Sequence, residues 1–170
     1  MIELLILHEL NKNVLTMYGI SKSIKNEFSA FLLPSYGTIS PALKRLKDTN
    51  YITAQKVMST GGRPSTYYSI TKTGKQALCD YILQTLPDNP VQFLTIARIR
   101  LFCINVLNDE EKFKLFNMLK IKAESILIDT KRLYDINDNN FYQKMVYDNL
   151  GCEYKNLISL IEGFQHASNH

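Results

Sequence analysis

The side chains best equipped for chemistry in this chain fall in two short runs. In Ser35-Tyr36-Gly37-Thr38-Ile39-Ser40-Pro41-Ala42-Leu43-Lys44, four side chains end in hydroxyls, and a lysine follows Ser40 by one helical turn. Short donors beside a helix N-terminus, where free amides carry partial positive charge, suit a phosphate. In Ser59-Thr60-Gly61-Gly62-Arg63-Pro64, two glycines remove Cβ obstruction from a turn, and Arg63 presents a planar guanidinium fitted to a narrow, negative groove. The chemistry predicted is non-covalent pairing with a polyanion. The sequence holds no GxxxxGK[ST], GxSxG, HExxH or paired-cysteine motif, so no catalytic residue, metal ligand set or cofactor is expected. His8 lies in an apolar helix and reads as a core or edge residue rather than a base.

Several elements must position these runs. A crowded apolar segment over 2–10 predicts a buried helix, and Ile20, Ile24 and Phe28 recur on one face of a second helix over 18–28. Pro34 disfavours helix at the residue before it, and Ser35 then stands where an N-cap hydroxyl is wanted. The third helix runs to about residue 49, with Ile39, Leu43 and Leu46 inward and Ser40, Lys44 and Lys47 on the other side. Asn50 follows, a residue that tolerates the left-handed conformation ending many helices. Pro41 is out of place in a helix interior and marks a distorted first turn. Two β-like runs, 51–58 and 65–70, flank the Gly-Gly-Arg-Pro tip as a hairpin. Tyr67 and Tyr68 fall on opposite faces of the second strand, which places at least one in the core. Thr71 caps a fourth helix reaching about residue 86.

Helix, helix, helix, hairpin is the order of a winged helix-turn-helix, whose third helix enters the major groove of DNA while the hairpin meets the flanking backbone or minor groove. After the break at Pro87-Asp88-Asn89-Pro90 everything reads as helix. Asn89-Pro90 is an N-cap and N1 pair opening a helix to about residue 107, and Asn108 with Glu111 has capping-box spacing. Phe116, Leu119, Ala123, Ile126, Thr130 and Leu133 form one coiled-coil-like seam, and Val146, Leu150, Tyr154, Leu157, Ile161 and Phe164 another. Phe93, Phe102, Phe113, Phe116, Tyr134, Phe141 and Tyr154 are free either to line a ligand pocket or to fill a core. The fold class is therefore mainly α (α+β): an N-terminal winged helix-turn-helix domain over 1–86, then a C-terminal all-helical domain over 90–166.

Charge follows the same division. Residues 1–80 hold ten Lys and Arg against five Asp and Glu, while 81–170 hold ten against eleven. A basic front half points towards a polyanionic partner. No apolar run is long enough to span a bilayer, and Met-Ile-Glu-Leu-Leu-Ile-Leu-His-Glu lacks the basic region of a signal peptide, so no membrane association and a cytoplasmic address are expected. Cys79, Cys103 and Cys152 are widely spaced and read as reduced thiols.

Pro34-Ser35-Tyr36-Gly37-Thr38-Ile39-Ser40-Pro41-Ala42-Leu43-Lys44-Arg45-Leu46 strongly resembles the signature segment of PadR-like transcriptional regulators, Pro41 included. So does Gly61-Gly62-Arg63-Pro64-Ser65-Thr66-Tyr67-Tyr68-Ser69-Ile70-Thr71, followed by Gly74, and Tyr18-Gly19-Ile20-Ser21-Lys22 looks like the start of that family's second helix. The resemblance implies a homodimeric repressor on a pseudo-palindromic double-stranded DNA operator, released in many members by a small-molecule effector. It implies a DNA-facing set of Tyr18, Ser21, Lys22, Ser35, Tyr36, Thr38, Ser40, Lys44 and Arg63. It also implies that the segment 141–164 is the final dimerisation helix, with Phe141, Met145, Leu150, Leu157, Ile161 and Phe164 at the interface. A winged-helix module that uses the same face to hold a protein, without binding DNA, is the alternative.

Overall fold

The computed structural model describes residues 1–58, 62, 64–136 and 140–167. The chain divides into two compact units: Met1–Gln84 with Arg98–Val106, and Thr85–Ala97 with Leu107–His170.

The first unit is built on α1 (Ile2–Lys12), whose Leu4, Leu5, Ile6, Leu7 and Leu10 are all buried, as the crowded apolar segment requires. β1 (Leu15–Thr16) follows, a two-residue strand that local periodicity cannot announce. It leads into α2 (Met17–Phe28), where Thr16 accepts a hydrogen bond from the Gly19 amide at 3.1 Å. Gly19 thus sits in the first turn, where a glycine costs less than in a helix interior. Ile20, Ile24 and Phe28 are fully buried.

α3 (Tyr36–Asp48) buries Ile39, Ala42, Leu43 and Leu46. The hydroxyl cap expected of Ser35 does not form. Ser35 occupies the N-cap position, but only its carbonyl is used, accepting from the Thr38 amide at 3.0 Å, the Ile39 amide at 3.1 Å and the Thr38 hydroxyl at 2.8 Å. Pro41 lies inside α3, in its second turn, and the helix runs from Tyr36 through it. The carbonyl of Gly37, which Pro41 cannot satisfy, lies on an exposed face where water can.

The end of α3 is tied by backbone bonds. Asn50 turns left-handed (φ 58°), its amide bonds the Lys47 carbonyl at 3.0 Å, and the Tyr51 amide reaches the Leu46 carbonyl at 2.9 Å. This paired closure is the Schellman arrangement, with asparagine in the place more often held by glycine. β2 (Ile52–Met58) and β3 (Pro64–Ile70) then pair antiparallel from Ile52 with Ile70 to Met58 with Pro64, and β1 adds to the other side of β3 through Leu15 with Tyr68 and Thr16 with Tyr67. The sheet order is β1-β3-β2. Helices, turn and hairpin make a winged helix-turn-helix.

α4 (Lys72–Leu83) is capped by Thr71, whose hydroxyl accepts from the Gly74 amide at 2.9 Å, and it ends three residues short of the expected 86. α5 (Pro90–Phe102) opens with Asn89 accepting from the Gln92 amide at 3.0 Å. It stops short of 107, followed by a 3-10 turn over Ile104–Val106. The Arg98–Val106 stretch packs in the first unit: the Arg100 guanidinium donates to the Gln84 carbonyl, and Phe102 meets Phe28 at 4.8 Å between ring centroids.

In the second unit α6 (Asp109–Ile136) and α7 (Phe141–Ala167) run antiparallel, with Phe116 near Phe164 and Lys120 paired to Glu162 at 2.6 Å. The Asn108–Glu111 capping box forms with both bonds at 2.9 Å. Along the two expected seams Phe116, Leu119, Ala123, Ile126 and Thr130 are buried against Tyr154, Leu157 and Ile161, whereas Leu133, Val146 and Phe164 stay exposed. Among the described residues, no helix is long and apolar enough to cross a membrane.

Gly74 is the tightest backbone approach: a Cβ there would lie 2.0 Å from the Tyr51 carbonyl oxygen. Gly74→Ala must push α4 away from the root of β2, and we expect a loss of about 3 kcal/mol or more in chemical denaturation, beyond the helix-propensity gain of alanine.

Candidate nucleic-acid interface

α3 presents its second face outward. Ser35, Tyr36, Thr38, Ser40, Lys44 and Lys47 are all exposed, with Tyr36 at 47%. The burial of Ile39, Leu43 and Leu46 dictates this, because residues between those positions on a 3.6-residue helix must turn to solvent. Behind them, β2 and β3 expose one face of their pleat. Ala54 pairs with Tyr68 and Lys56 with Thr66, so all four project to the same side. Together the helix and strands enclose an open groove of about 370 Å³ lined by Ser40, Lys44 and Lys47 from α3 and by Lys56, Thr66 and Tyr68 from the wing.

Three lysines facing one groove with no carboxylate among its lining residues make a concentrated positive field. Lys56 and Thr66 were not in the expected set. Their signal is strand alternation, legible only after the register is known. Lys47 read as a solvated charge; it lines the groove. Tyr68 is half-buried along the groove and Tyr67 is 39% exposed, so neither enters the core as expected.

The other expected contacts sort by position. Tyr18 is 66% exposed and Lys22 exposed on α2, while Ser21 is half-buried. The Ser35 hydroxyl is uncommitted to a cap. The Thr38 hydroxyl already donates to the Ser35 carbonyl, a bond it must surrender to donate to a phosphate. Arg63 lies outside the described residues, as does Gly61.

Arg45 is absent from the groove for a reason. Its guanidinium pairs with Glu3 of α1, with Nε 2.9 Å from Oε1. Partial burial works to raise the Glu3 carboxyl, but hydrogen bonds from Arg45 and a backbone amide, with the nearby positive charges, outweigh it and hold the group below the ordinary carboxylate value. The pair fixes α3 to α1 and removes one cation from the outward face. Of the sulfurs, Cys103 is fully buried, and burial pushes its thiol up to about 12, which suits an inert core residue.

The aromatic residues of the second half are mostly committed to packing. Phe93 stacks on Tyr154 at 6.4 Å, Phe116 is buried near Phe164, and Phe102 belongs to the first unit. Tyr134 alone of the expected set lines the open groove of about 530 Å³ between α6 and α7, beside Tyr147, Lys131 and Lys155. Of the expected interface residues on α7, Leu157 and Ile161 are already buried by α6, Leu150 is half-buried, and Phe141 (70%), Met145 (53%) and Phe164 (36%) are exposed.

Residues 6–80, which hold most of α1, all of α2 and α3 and the strands β2 and β3, match the model of the Transcriptional regulator PadR-like family. The chain carries a PadR-like domain. A curated relative, the Negative transcriptional regulator PadR of Bacillus subtilis (strain 168), is 28% identical over 130 residues, covering 76% of this chain and 71% of its own. Among solved structures, Bacillus subtilis PadR in complex with operator DNA is 23% identical at a TM-score of 0.45, covering 98% of both chains. A Streptococcus mutans UA159 protein is 25% identical at a TM-score of 0.47, covering 96% of this chain and 98% of its own. The family matched over residues 6–80 is one of transcriptional regulators.

Because the folded-state Glu3 carboxyl is depressed, the stability it contributes is present above the ordinary carboxylate range and is lost as pH falls through the depressed value. Arg45 is 58% exposed, so screening keeps the pair small. Glu3→Gln should cost less than about 1 kcal/mol at neutral pH, and urea titrations should show the gap to the parent closing as the buffer is acidified.

Proposed function

We propose that this chain is a DNA-binding transcriptional repressor, acting as a homodimer on a pseudo-palindromic operator in the cytoplasm. The observation that carries the reading is the groove between α3 and the wing, where Lys44, Lys47 and Lys56 converge with the Ser40 hydroxyl inside a PadR-like domain. Its cations suit the phosphate backbone, and the exposed N-terminal turn of α3 with Ser35, Tyr36 and Ser40 suits the major groove. Tyr18, Ser21, Lys22, Thr38 and Arg63 complete the proposed contact set. Repression follows the habit of the family, and release by a small molecule rests on that resemblance alone.

Dimerisation is supported by the apolar surface left over on the second unit. Ile121 and Ile128 on α6 are 68% and 69% exposed, and Phe141, Tyr142, Met145 and Val146 are at least half exposed on α7. Large apolar side chains left exposed on both long helices are what an interaction surface supplies. The proposed domain division, a DNA-binding front and a dimerising rear, assigns the two tasks to the two ends of the chain.

Duplex from the flanks of the chain's own gene, titrated at several salt concentrations, tests the DNA reading. Lys44→Ala and Lys56→Ala should each weaken binding and flatten the slope of log affinity against log salt by about one. Unchanged affinity in both variants removes the groove from the interface, and failure to retain any duplex against competitor favours the protein-binding alternative. For the dimer, Met145→Glu and Ile128→Glu should convert the sedimenting species to a monomer with the α-helical signal intact and cost at least tenfold in operator affinity, since two half-sites can no longer be held by one particle.

A further inference from the structure

His8 and Glu9 of α1 and Glu27 of α2 converge at a place that the groove does not use. One imidazole nitrogen and one oxygen from each carboxylate lie within 4.8 Å of one another. His8 is 8% exposed and Glu9 1%. The His8 ring is walled by Phe28 at 5.7 Å and Phe102 at 6.1 Å, neither of which offers a polar partner. Among the described residues, both His8 ring nitrogens and Glu9 Oε1 are without a hydrogen-bond partner, a costly state for buried polar atoms. Ser23 donates to the other Glu9 oxygen. The two carboxylates share a single ammonium: Lys12 bonds Glu27 and stands 3.5 Å from Glu9 Oε1. Two negative charges and one positive therefore meet in a largely buried place.

We propose that His8, Glu9 and Glu27 form a binding site for a divalent transition-metal ion of the zinc class. A neutral imidazole, two carboxylates and a dication sum to zero charge, and the ion takes up a buried imidazole nitrogen that lacks a hydrogen-bond partner and replaces the Lys12 ammonium beside Glu9 Oε1. One nitrogen with two oxygens favours zinc, cobalt or nickel over magnesium or calcium, which prefer oxygen alone. Three protein ligands leave a fourth position to water, as zinc accepts. Tetrahedral donors at zinc distances lie about 3.4 Å apart, so the cluster must contract. The half-buried Glu27 supplies that freedom, and Lys12, 36% exposed at its side chain, leaves for solvent. The ion would then bolt α1 to α2, the first helix of the turn that supports α3.

The test uses the full chain, purified through chelator and titrated with zinc chloride against a chromophoric competitor, with thermal melts alongside. One zinc per chain should bind, raising the melting temperature by roughly 5–10 °C at a hundredfold excess over Kd. His8→Gln and Glu27→Gln should each weaken binding at least tenfold and cut the shift to about half or less at the same zinc concentration; should His8→Gln fail to fold, the partly exposed Glu27 decides. Lys12→Met removes the competing ammonium and should tighten zinc binding, a result that an ion pair serving only structure does not produce. Cys152→Ser and His166→Asn, exposed groups elsewhere, should change nothing. Zinc that binds Glu27→Gln as well as the parent, that is lost in Cys152→Ser or weakened by Lys12→Met, or that leaves the parent's melting temperature unmoved, overturns the proposal.

Discussion

The first unit depends on one backbone carbonyl. The oxygen of Tyr51 accepts the Thr71 amide at 3.0 Å and stands 3.1 Å from the Thr71 hydroxyl, while Gly74 passes so close that no side chain fits. One residue earlier, the Asn50 carbonyl takes the hydroxyls of Thr71 and Thr73 at 2.8 and 3.1 Å. The end of α3, the root of β2, the end of β3 and the start of α4 are thereby held at one point. Because Asn50 is left-handed, the chain leaves α3 in a single residue and enters the wing without slack. The angle between helix and wing, and hence the width of the groove, is set there. A flexible hinge at this point would leave three lysines on two elements with no fixed spacing between them.

Charge in this unit is divided between holding and presenting. Arg45 and Lys12 are spent on Glu3, Glu9 and Glu27 and stitch α1 to α3 and α2. Lys44, Lys47 and Lys56 have no carboxylate among their groove neighbours and keep their field turned outward. Neighbours in sequence take opposite roles because a helix turns 100° per residue: Lys44 and Arg45 differ by one position and serve different surfaces. In the second unit the division is between apolar side chains. Tyr154, Leu157 and Ile161 are buried, whereas Phe141, Met145 and Ile128 stay exposed.

The helices of the front half were legible because their buried faces obey a 3.6-residue period, and Ile20, Ile24, Phe28, Ile39, Leu43 and Leu46 are buried as that period requires. The hairpin was legible from its Gly-Pro tip and β-rich flanks. Less could be read where an outcome depends on distant partners. β1 is two residues long and exists because β3 offers an edge. The end of α5 and the transfer of Arg98–Val106 to the first unit depend on Gln84, Phe28 and the surrounding core, far away in sequence. Ser35 keeps the cap position without the cap bond, because its carbonyl takes the Thr38 amide and hydroxyl and the Ile39 amide instead.

The basic front half, the outward hydroxyls and lysine of the third helix, and the winged architecture were all determined by the sequence, since each follows from local spacing and the elementary geometry of a helix or hairpin. Tertiary structure alone decided that Lys47, Lys56 and Thr66 join Lys44 across one groove, and that Arg45 turns away to Glu3. It alone brought His8 and Glu9 to Glu27. Those outcomes require the register of β2 on β3 and the packing of α1 on its neighbours, and pairings between residues tens of positions apart leave no periodic trace in the chain that makes them.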